Sequence, residues 1–225
     1  MSPVKPVTEI ANIAIKAGVD LSDEGTTAYK TWSEILRIIS NQDGYQRLYW
    51  GPTIEDPSLI QLCIGWDSIE SHEGFMKSPQ YGPFVTAIGT ISSTPPSLFH
   101  IRAEPFPPII FGTAPVVEMA TLYEAQASCL DNVKQFVQNT KDKMEGGLGS
   151  VIGSVVEEIQ AKEGAGTGKA VLLCLGWESR EAHMKFRETD CFKENINLLR
   201  EGNGGIVMVI YLAVQNFPSH FTDEL

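Results

Sequence analysis

Two stretches of the 225-residue chain are close copies of each other, and they decide its fold. Residues 62–81 read LCIGWDSIESHEGFMKSPQY, and residues 173–192 read LCLGWESREAHMKFRETDCF. Eight of the twenty aligned positions are identical, whereas unrelated sequences would share roughly one. A shorter match upstream pairs EIA, from Glu9, with EMA, from Glu118. The sequence therefore predicts an internal duplication.

A proline-rich stretch separates the two copies. Residues 104–115 read EPFPPIIFGTAP, and four of these twelve residues are proline. Proline continues neither a helix nor a central strand, so this stretch is predicted to be an extended linker. The predicted organisation is a first repeat at 1–104, a linker at 105–115 and a second repeat at 116–225.

Each copy has the same order of predicted elements. Strands at 7–17 and 116–124 precede helices with an apolar stripe, which runs from Tyr29 to Ile39 and from Leu130 to Met144. Hairpins follow at 45–66 and 150–177, then broken helical regions at 68–91 and 179–200, and last strands at 97–103 and 206–214. The order β-α-β-β-α-β is the ferredoxin-like unit. The predicted fold class is α+β, with two tandem ferredoxin-like repeats that form an intrachain pseudo-dimeric α/β barrel.

Charge and hydropathy exclude several classes of protein. The net charge is −11, from 28 acidic and 17 basic residues, and it divides almost evenly between the two copies. Nucleic acids and anionic membranes are therefore not expected partners. No apolar run approaches the ~20 residues of a membrane-spanning helix. The first ten residues have no apolar signal core, and the four cysteines show no CxxC spacing, so a cytoplasmic protein is expected.

The strand-to-helix junctions carry a family resemblance. Two segments resemble the signature of the antibiotic-biosynthesis-monooxygenase (ABM) branch of dimeric α/β-barrel proteins. They are WESREAHMKFRETDCFKE, from Trp177, and WDSIESHEGFMKSPQY, from Trp66. That superfamily includes cofactor-free oxygenases of polyketide quinone pathways, haem-degrading enzymes, isomerases, lyases and stress proteins. The tandem form is similar to proteins of filamentous fungi that accompany natural-product pathways. The resemblance implies a secondary-metabolic enzyme without a cofactor.

The chain also departs from the family pattern. Family members often carry His nine residues after the Trp, where this chain has Phe75 and Phe186, and its histidines lie at plus six. No His occurs at 73–99 or 184–219, which argues against a haem role. The first-strand Asn of the oxygenase relatives could correspond to Asn12, whereas copy two has Thr121 or Leu122 there. An Asn/Trp site is therefore expected in copy one only.

The last strand of copy one offers candidate catalytic residues. In SLFHIRA, from Ser97, the strand period of two places Leu98, His100 and Arg102 on one face. The matching strand of copy two is almost wholly apolar. His100 could act as a base, and Arg102 could hold an enolate, phenolate or carboxylate. The alternative is that this edge of the sheet faces solvent.

The repeated aromatic and histidine positions have two interpretations. Trp66 and Trp177 either anchor a helix onto the sheet or line a pocket for a planar substrate. His72 and His183 are either half-buried structural histidines or general acid–base groups. Phe75 shares a helix face with His72 and is counted as a candidate substrate-binding residue with it.

Further aromatic residues cluster on the second strand of copy one. Tyr45, Arg47, Tyr49 and Trp50 have small or aliphatic counterparts in copy two. A ligand pocket would explain this asymmetry, and core packing is the alternative. Neither an HxxxH nor an HxH pair occurs, so no metal is expected.

These observations predict a cofactor-free enzyme that acts on a small aromatic or polyketide-like metabolite. Proton abstraction would give an electron-rich anion that O₂ oxidises. The candidate catalytic residues are His100, Arg102 and His72. The candidate substrate-binding residues are Trp66, Trp50, Tyr49, Asn12 and Phe75. A redox-neutral cyclase, isomerase or lyase, and a non-catalytic ligand-binding or stress-response barrel, are alternatives. A monomeric pseudo-dimer and a homodimer both fit the repeat.

Overall fold

A computed structural model describes residues 5–161, 166–213 and 215–216 of the chain. Its helices and strands follow in this order: β1 (Val7–Ala14), α1 (Thr27–Ser40), β2 (Tyr45–Pro52), β3 (Leu59–Trp66), α2 (Ile69–Met76), α3 (Tyr81–Ile91), β4 (Ser97–Glu104), α4 (Ile110–Thr113), β5 (Val116–Tyr123), α5 (Cys129–Thr140), β6 (Gly147–Val155), β7 (Ile159–Gln160), β8 (Thr167–Gly168), β9 (Val171–Trp177), α6 (Arg180–Glu188), α7 (Asp190–Arg200), β10 (Gly205–Ala213) and β11 (Gln215–Asn216). The predicted α+β class and the tandem β-α-β-β-α-β order are confirmed.

The chain forms two compact units. The first contains the described residues up to Leu98 together with Gln215 and Asn216, and the second runs from Phe99 to Ala213. In the first unit the antiparallel strand order is β11-β2-β3-β1. Helix α1 buries its apolar stripe, which includes Trp32, Ile35 and Ile39, in the hydrophobic core of this unit.

The second unit repeats this plan. Its antiparallel strand order is β10-β5-β9-β6-β4. Helix α5 buries Val133 and Phe136 in a core that also contains Trp177 and Phe186. Strand β4 comes from the end of the first repeat, yet its residues Ile101–Glu104 pair with β6. In the first unit, β11 comes from the end of the second repeat and pairs with β2. The compact units are defined by contacts between residues, whereas the repeats are defined by sequence similarity. The repeat boundaries predicted from the sequence therefore stay a prediction.

Several residues shared by the two copies set the start of a helix. The Ser68 side chain accepts a hydrogen bond from the Ser71 amide at the start of α2, and Ser179 accepts one from the Ala182 amide at the start of α6. Such caps satisfy an amide that has no partner within the helix. Gly44 precedes β2 with a φ of +79°, a conformation that favours glycine. A Cβ there would collide with the Ser71 side chain, so Gly44 lets this turn approach α2 closely.

The element boundaries differ from the predictions in a few places. The first strand ends at Ala14 rather than at residue 17, and β6 begins at Gly147 rather than at 150. The stretch predicted as an extended linker contains the short helix α4, because residues 109–114 hold no proline and Ile110 and Phe111 are buried. The end of the last predicted strand, residue 214, lies outside the described residues. In the part of the chain that is described, every helix is too short or too polar to cross a membrane.

Candidate active site

Three buried polar side chains meet inside the first unit. The indole Nε1 of Trp66 donates a hydrogen bond to Oε2 of Glu9 at 2.8 Å. Nδ1 of His72 lies 3.5 Å from the same oxygen. The His72 imidazole stacks on the Trp66 indole, with ring centroids 5.1 Å apart and planes inclined by 12°. Each side chain therefore holds the other two in place.

The local fold explains this meeting. Strands β1 and β3 pair so that Glu9 lies opposite Ile64 and Val7 opposite Trp66. Because side chains alternate along a strand, Glu9 and Trp66 point to the same face, which the helices cover. His72 lies in the first half of α2, just after the cap at Ser68. The connection from β3 to α2 is short, so His72 in α2 lies against the Trp66 ring at the end of β3.

The Glu9–Trp66–His72 cluster forms one end of a cavity of about 240 Å³. Apart from that cluster and Tyr81, the wall is apolar: Ala11, Ile13, Ile35, Ile39, Leu62, Ile64, Phe75, Phe84, Val85, Ile88, Pro95, Pro96 and Leu98. Val85 and Leu98 are partly exposed, at 43% and 38%, so the cavity reaches the protein surface beside them. None of the described residues that line it is Lys or Arg.

An aromatic group forms one wall of the cavity. The Phe75 and Tyr81 rings meet edge to face with centroids 5.3 Å apart, and Phe75 and Phe84 are 5.1 Å apart. Tyr81 also lies 5.8 Å from Phe84 at a tilt of 33°. Such contacts hold the rings in a defined orientation. A flat apolar ligand in the cavity would therefore contact the flat apolar faces and edges of these rings.

The second unit contains the same polar cluster. The indole of Trp177 donates to Oε2 of Glu118 at 3.1 Å, and Nε2 of His183 lies 3.4 Å from that oxygen. Burial raises the pKa of Glu118 to about 7, against the opposing effects of the Trp177 hydrogen bond and the Arg187 charge. Burial, with the charges of Arg187 and Arg180, lowers the pKa of His183 to about 4. Near neutral pH the imidazole of this pair is therefore uncharged.

The surroundings of the two clusters differ in size and polarity. When helices α1 and α5 are aligned on their buried residues, the cavity residue Ile35 corresponds to Phe136. In the repeat alignment, Tyr81 corresponds to Phe192. Phe136 and Phe192 meet edge to face at 6.3 Å, and Phe192 contacts Phe186 at 5.5 Å. The second cluster therefore has larger rings and one hydroxyl fewer around it.

The structure brings some of the predicted site residues together. Trp66, His72 and Phe75 all line the cavity, whereas Asn12, Tyr49 and Trp50 do not. Asn12 accepts a hydrogen bond from Gln61 Nε2 at 3.0 Å. The Trp50 ring packs edge to face on Trp32 at 5.1 Å, and Tyr49 is half-buried next to it on β2.

His100 and Arg102 belong to the second unit. The backbone amide of His100 donates to Oε2 of Glu157 at 2.8 Å, and its ring Nδ1 lies 2.6 Å from Oε1. The His100 side chain is buried, and the Arg102 side chain is exposed. Glu157, a residue the sequence analysis did not single out, thus contacts both the amide and the ring of His100. The catalytic roles predicted for His100 and Arg102 stay predictions.

Sequence reasoning missed two residues of the cavity. Glu9 carries the oxygen that joins Trp66 and His72, and its signal was the short match between EIA and EMA. Tyr81 is the last residue of the first aligned stretch, opposite Phe192. Both signals were present in the repeat alignment, but only the structure shows that these side chains share one cavity.

The chain has the fold of ABM-type proteins, in tandem form. It is similar to the solved structure of an anthrone oxidase-like protein, with a TM-score of 0.71 and 14% identity over 94% of this chain and 92% of that one. A candidate monooxygenase from Fusobacterium nucleatum subsp. nucleatum ATCC 25586 superposes with a TM-score of 0.56 and 15% identity, over 96% of each chain. One from Lactobacillus acidophilus NCFM gives 0.55 and 12%, over 93% of this chain and 94% of that one.

These similarities extend over both repeats, which confirms the predicted resemblance in fold. At such identities they show the fold alone. No protein-family model matches the sequence, and no curated protein matches it.

Proposed function

We propose that the chain is a cofactor-free oxygenase that converts an acidic C–H group of a small fused-ring aromatic compound into an oxygenated product. The observation that carries this proposal is the cavity of the first unit. It is apolar along most of its wall and has a histidine–carboxyl pair at one end. Such a site can bind a flat apolar molecule and take a proton from it.

The cavity limits the size and charge of the ligand. A volume of about 240 Å³ lies just below the ~300–1,000 Å³ of sites for drug-sized ligands. It suits two or three fused rings rather than a substrate together with a second organic molecule. Because the described residues that line it include no Lys or Arg, a phosphorylated ligand or cofactor would find no cationic partner among them.

The proposed reaction begins with proton transfer. A methylene group that is flanked by aromatic rings and conjugated with a carbonyl loses a proton to His72, and its electron pair moves onto the carbonyl oxygen as an enolate. Glu9 Oε2, 3.5 Å from His72 Nδ1, stabilises the resulting imidazolium. General-base catalysis of this kind contributes ~10²–10⁴-fold.

Oxygen is the co-reactant of the second step. The enolate transfers electrons to O₂ and forms a C–O bond, which gives a peroxide that takes up the proton held by His72. Loss of water then turns the original methylene into a carbonyl. One atom of O₂ enters the product and the other leaves as water, so the four electrons lost by carbon equal the four gained by O₂.

Structural similarity supports the choice of a test compound. The similar structure with a TM-score of 0.71 is that of an anthrone oxidase-like protein. Anthrone has three fused rings, one carbonyl and one acidic methylene, which matches the size and polarity of the cavity. We propose anthrone-like compounds of polyketide type as the substrate class.

Oxygen uptake tests the proposal directly. The purified full chain should consume one O₂ per anthrone and form anthraquinone, faster than the reaction in buffer. Tautomerisation or ring closure without O₂ consumption would instead support a redox-neutral enzyme that uses the same base. Binding without any conversion would support a ligand-binding barrel, and either result would reject the oxygenase.

A further inference from the structure

We infer that the Tyr81 hydroxyl is the hydrogen-bond donor that holds the ligand's carbonyl oxygen, so that the site selects fused-ring aromatic ketones over hydrocarbons of the same shape. This inference rests on the proposed function, because it concerns the same cavity. It adds a substrate-binding residue that the sequence analysis did not identify and a chemical criterion for the ligand.

The first argument concerns the polar groups of the cavity wall. Among the residues that the structure describes there, the side chains with polar atoms are those of Glu9, Trp66, His72 and Tyr81. The Trp66 N–H is already donated to Glu9, and His72 faces the same carboxyl group. The proton-accepting end is thus formed by Glu9 and His72. A ligand carbonyl needs a donor, and Tyr81 supplies a neutral O–H.

The second argument concerns the orientation of Tyr81. It is the first residue of α3, and its ring is fixed between Phe75, at 5.3 Å, and Phe84, at 5.8 Å. A ring held in this way keeps its hydroxyl in one direction, which lowers the entropy lost when a ligand binds. Tyr81 is therefore preorganised within the wall that would face the ligand's rings.

The third argument concerns the protonation state of the phenol. Burial raises the pKa of Tyr81, and the nearby charge of Glu9 raises it further. The phenol therefore keeps its proton at neutral pH and can donate it in a hydrogen bond. When an enolate forms on the ligand, that bond becomes charge-assisted and stronger.

The second repeat offers a natural comparison. Phe192 replaces Tyr81 in the repeat alignment, while the Glu–Trp–His cluster is kept. The packing of Phe186 against Phe192, at 5.5 Å, resembles that of Phe75 against Tyr81. A phenylalanine is thus accommodated at this place in the fold, and Tyr81→Phe should fold normally. Phe192→Tyr is the matched control.

The test compares two ligands that differ in one carbonyl group. Anthrone and 9,10-dihydroanthracene have the same three-ring frame, and only anthrone has the oxygen. Binding to the full chain is measured without O₂ by quenching of tryptophan fluorescence. Tyr81→Phe should weaken anthrone binding about three- to tenfold, the value of one neutral hydrogen bond, and leave dihydroanthracene binding unchanged. Phe192→Tyr should change neither.

Turnover gives a second readout. With O₂ present, Tyr81→Phe should lower kcat for anthrone about ten- to hundredfold, because the hydrogen bond to an enolate is stronger than that to a ketone. Circular dichroism and thermal unfolding should match the wild type.

The outcomes separate the inference from the proposed function. If Tyr81→Phe weakens both ligands equally, or neither, the inference is wrong, while the oxygenase proposal stands as long as the wild type oxidises anthrone. If the wild type binds neither ligand, the cavity does not take fused-ring aromatics, and both proposals are overturned.

Discussion

The two Glu–Trp–His clusters have the same construction but different surroundings. Glu9, Trp66 and His72 border a cavity of about 240 Å³, whereas Trp177 of the second cluster packs against Phe186, which contacts Phe192 in turn. The same hydrogen-bonded cluster therefore occurs in two different surroundings. In the first repeat a cavity lies beside it, with Tyr81 in its wall, and in the second repeat Phe192 stands at the position of Tyr81.

This comparison explains why both copies kept the cluster. A buried indole N–H and a buried carboxyl group each cost free energy unless they are paired. The Trp–Glu hydrogen bond satisfies both groups and fixes the connection from strand to helix in each unit. Stability therefore accounts for the presence of the cluster in both repeats.

The largest difference is expected from removing each histidine in turn. His72→Ala should lower the oxidation rate of anthrone at least ~100-fold, because the proposed base is lost. His183→Ala removes the equivalent ring from the second cluster and should leave the rate within about twofold once the folded fraction is matched. Oxygen uptake measures both.

The same assay examines the role predicted for His100. If His100→Ala abolishes turnover while His72→Ala retains it, then His100 is the base and Glu157, 2.6 Å from its ring, orients it. Equal losses in His72→Ala and His183→Ala would contradict the functional difference between the repeats.

A smaller effect should follow from exchanging the residues that differ in size. Ile35→Phe introduces into the first unit the ring that the second unit has at Phe136. The new ring should occupy the cavity and weaken anthrone binding about tenfold or more, with little loss of stability, because it fills space rather than displacing packed atoms. Fluorescence titration and thermal unfolding measure the two quantities.

Phe136→Ile makes the opposite exchange and serves as the control. It removes a buried ring from a packed core and should lower the free energy of unfolding by about 1–3 kcal/mol, without changing the oxidation rate. Unchanged anthrone binding in Ile35→Phe would mean that the ligand does not occupy this cavity.

The last expected effect is on stability and not on activity: a change in the pH dependence of unfolding in the second unit. The folded pKa of Glu118, about 7, lies above its ordinary value of 4.5, so this residue's contribution to stability is complete below pH 4.5 and is lost as the pH rises through 7. Glu118→Gln removes that loss. Between pH 5 and 8 the variant should therefore gain stability relative to the wild type, by up to about 3 kcal/mol.

His183 produces the opposite slope in both proteins. Its folded pKa, about 4, lies below its ordinary 6.5, so its contribution is lost as the pH falls from 6.5 towards 4. Urea unfolding at several pH values measures the difference between variant and wild type. Glu194→Gln, at an exposed position, is the control for the loss of one carboxyl group. A flat difference for Glu118→Gln would show that burial does not hold this carboxyl group in its neutral form.

The repeat alignment was enough to predict the fold, because local patterns set both the strand and helix order and the caps at Ser68 and Ser179. It also identified Trp66 and His72. It could not show that Glu9 joins them, since a carboxyl 57 positions before Trp66 reaches it only through the pairing of β1 with β3. The His100–Glu157 contact depends in the same way on the pairing of distant strands.

The exchange of β4 and β11 between the two repeats has a consequence for fragments of the chain. Fragments divided within residues 105–115 would each carry a strand whose partner lies on the other fragment: β4 would leave β6 behind, and β2 would lose β11. Exposed strand edges are sites of aggregation. The separate halves should therefore be insoluble or self-associating when produced alone, and they should recover the native strand pairs when produced together in one cell.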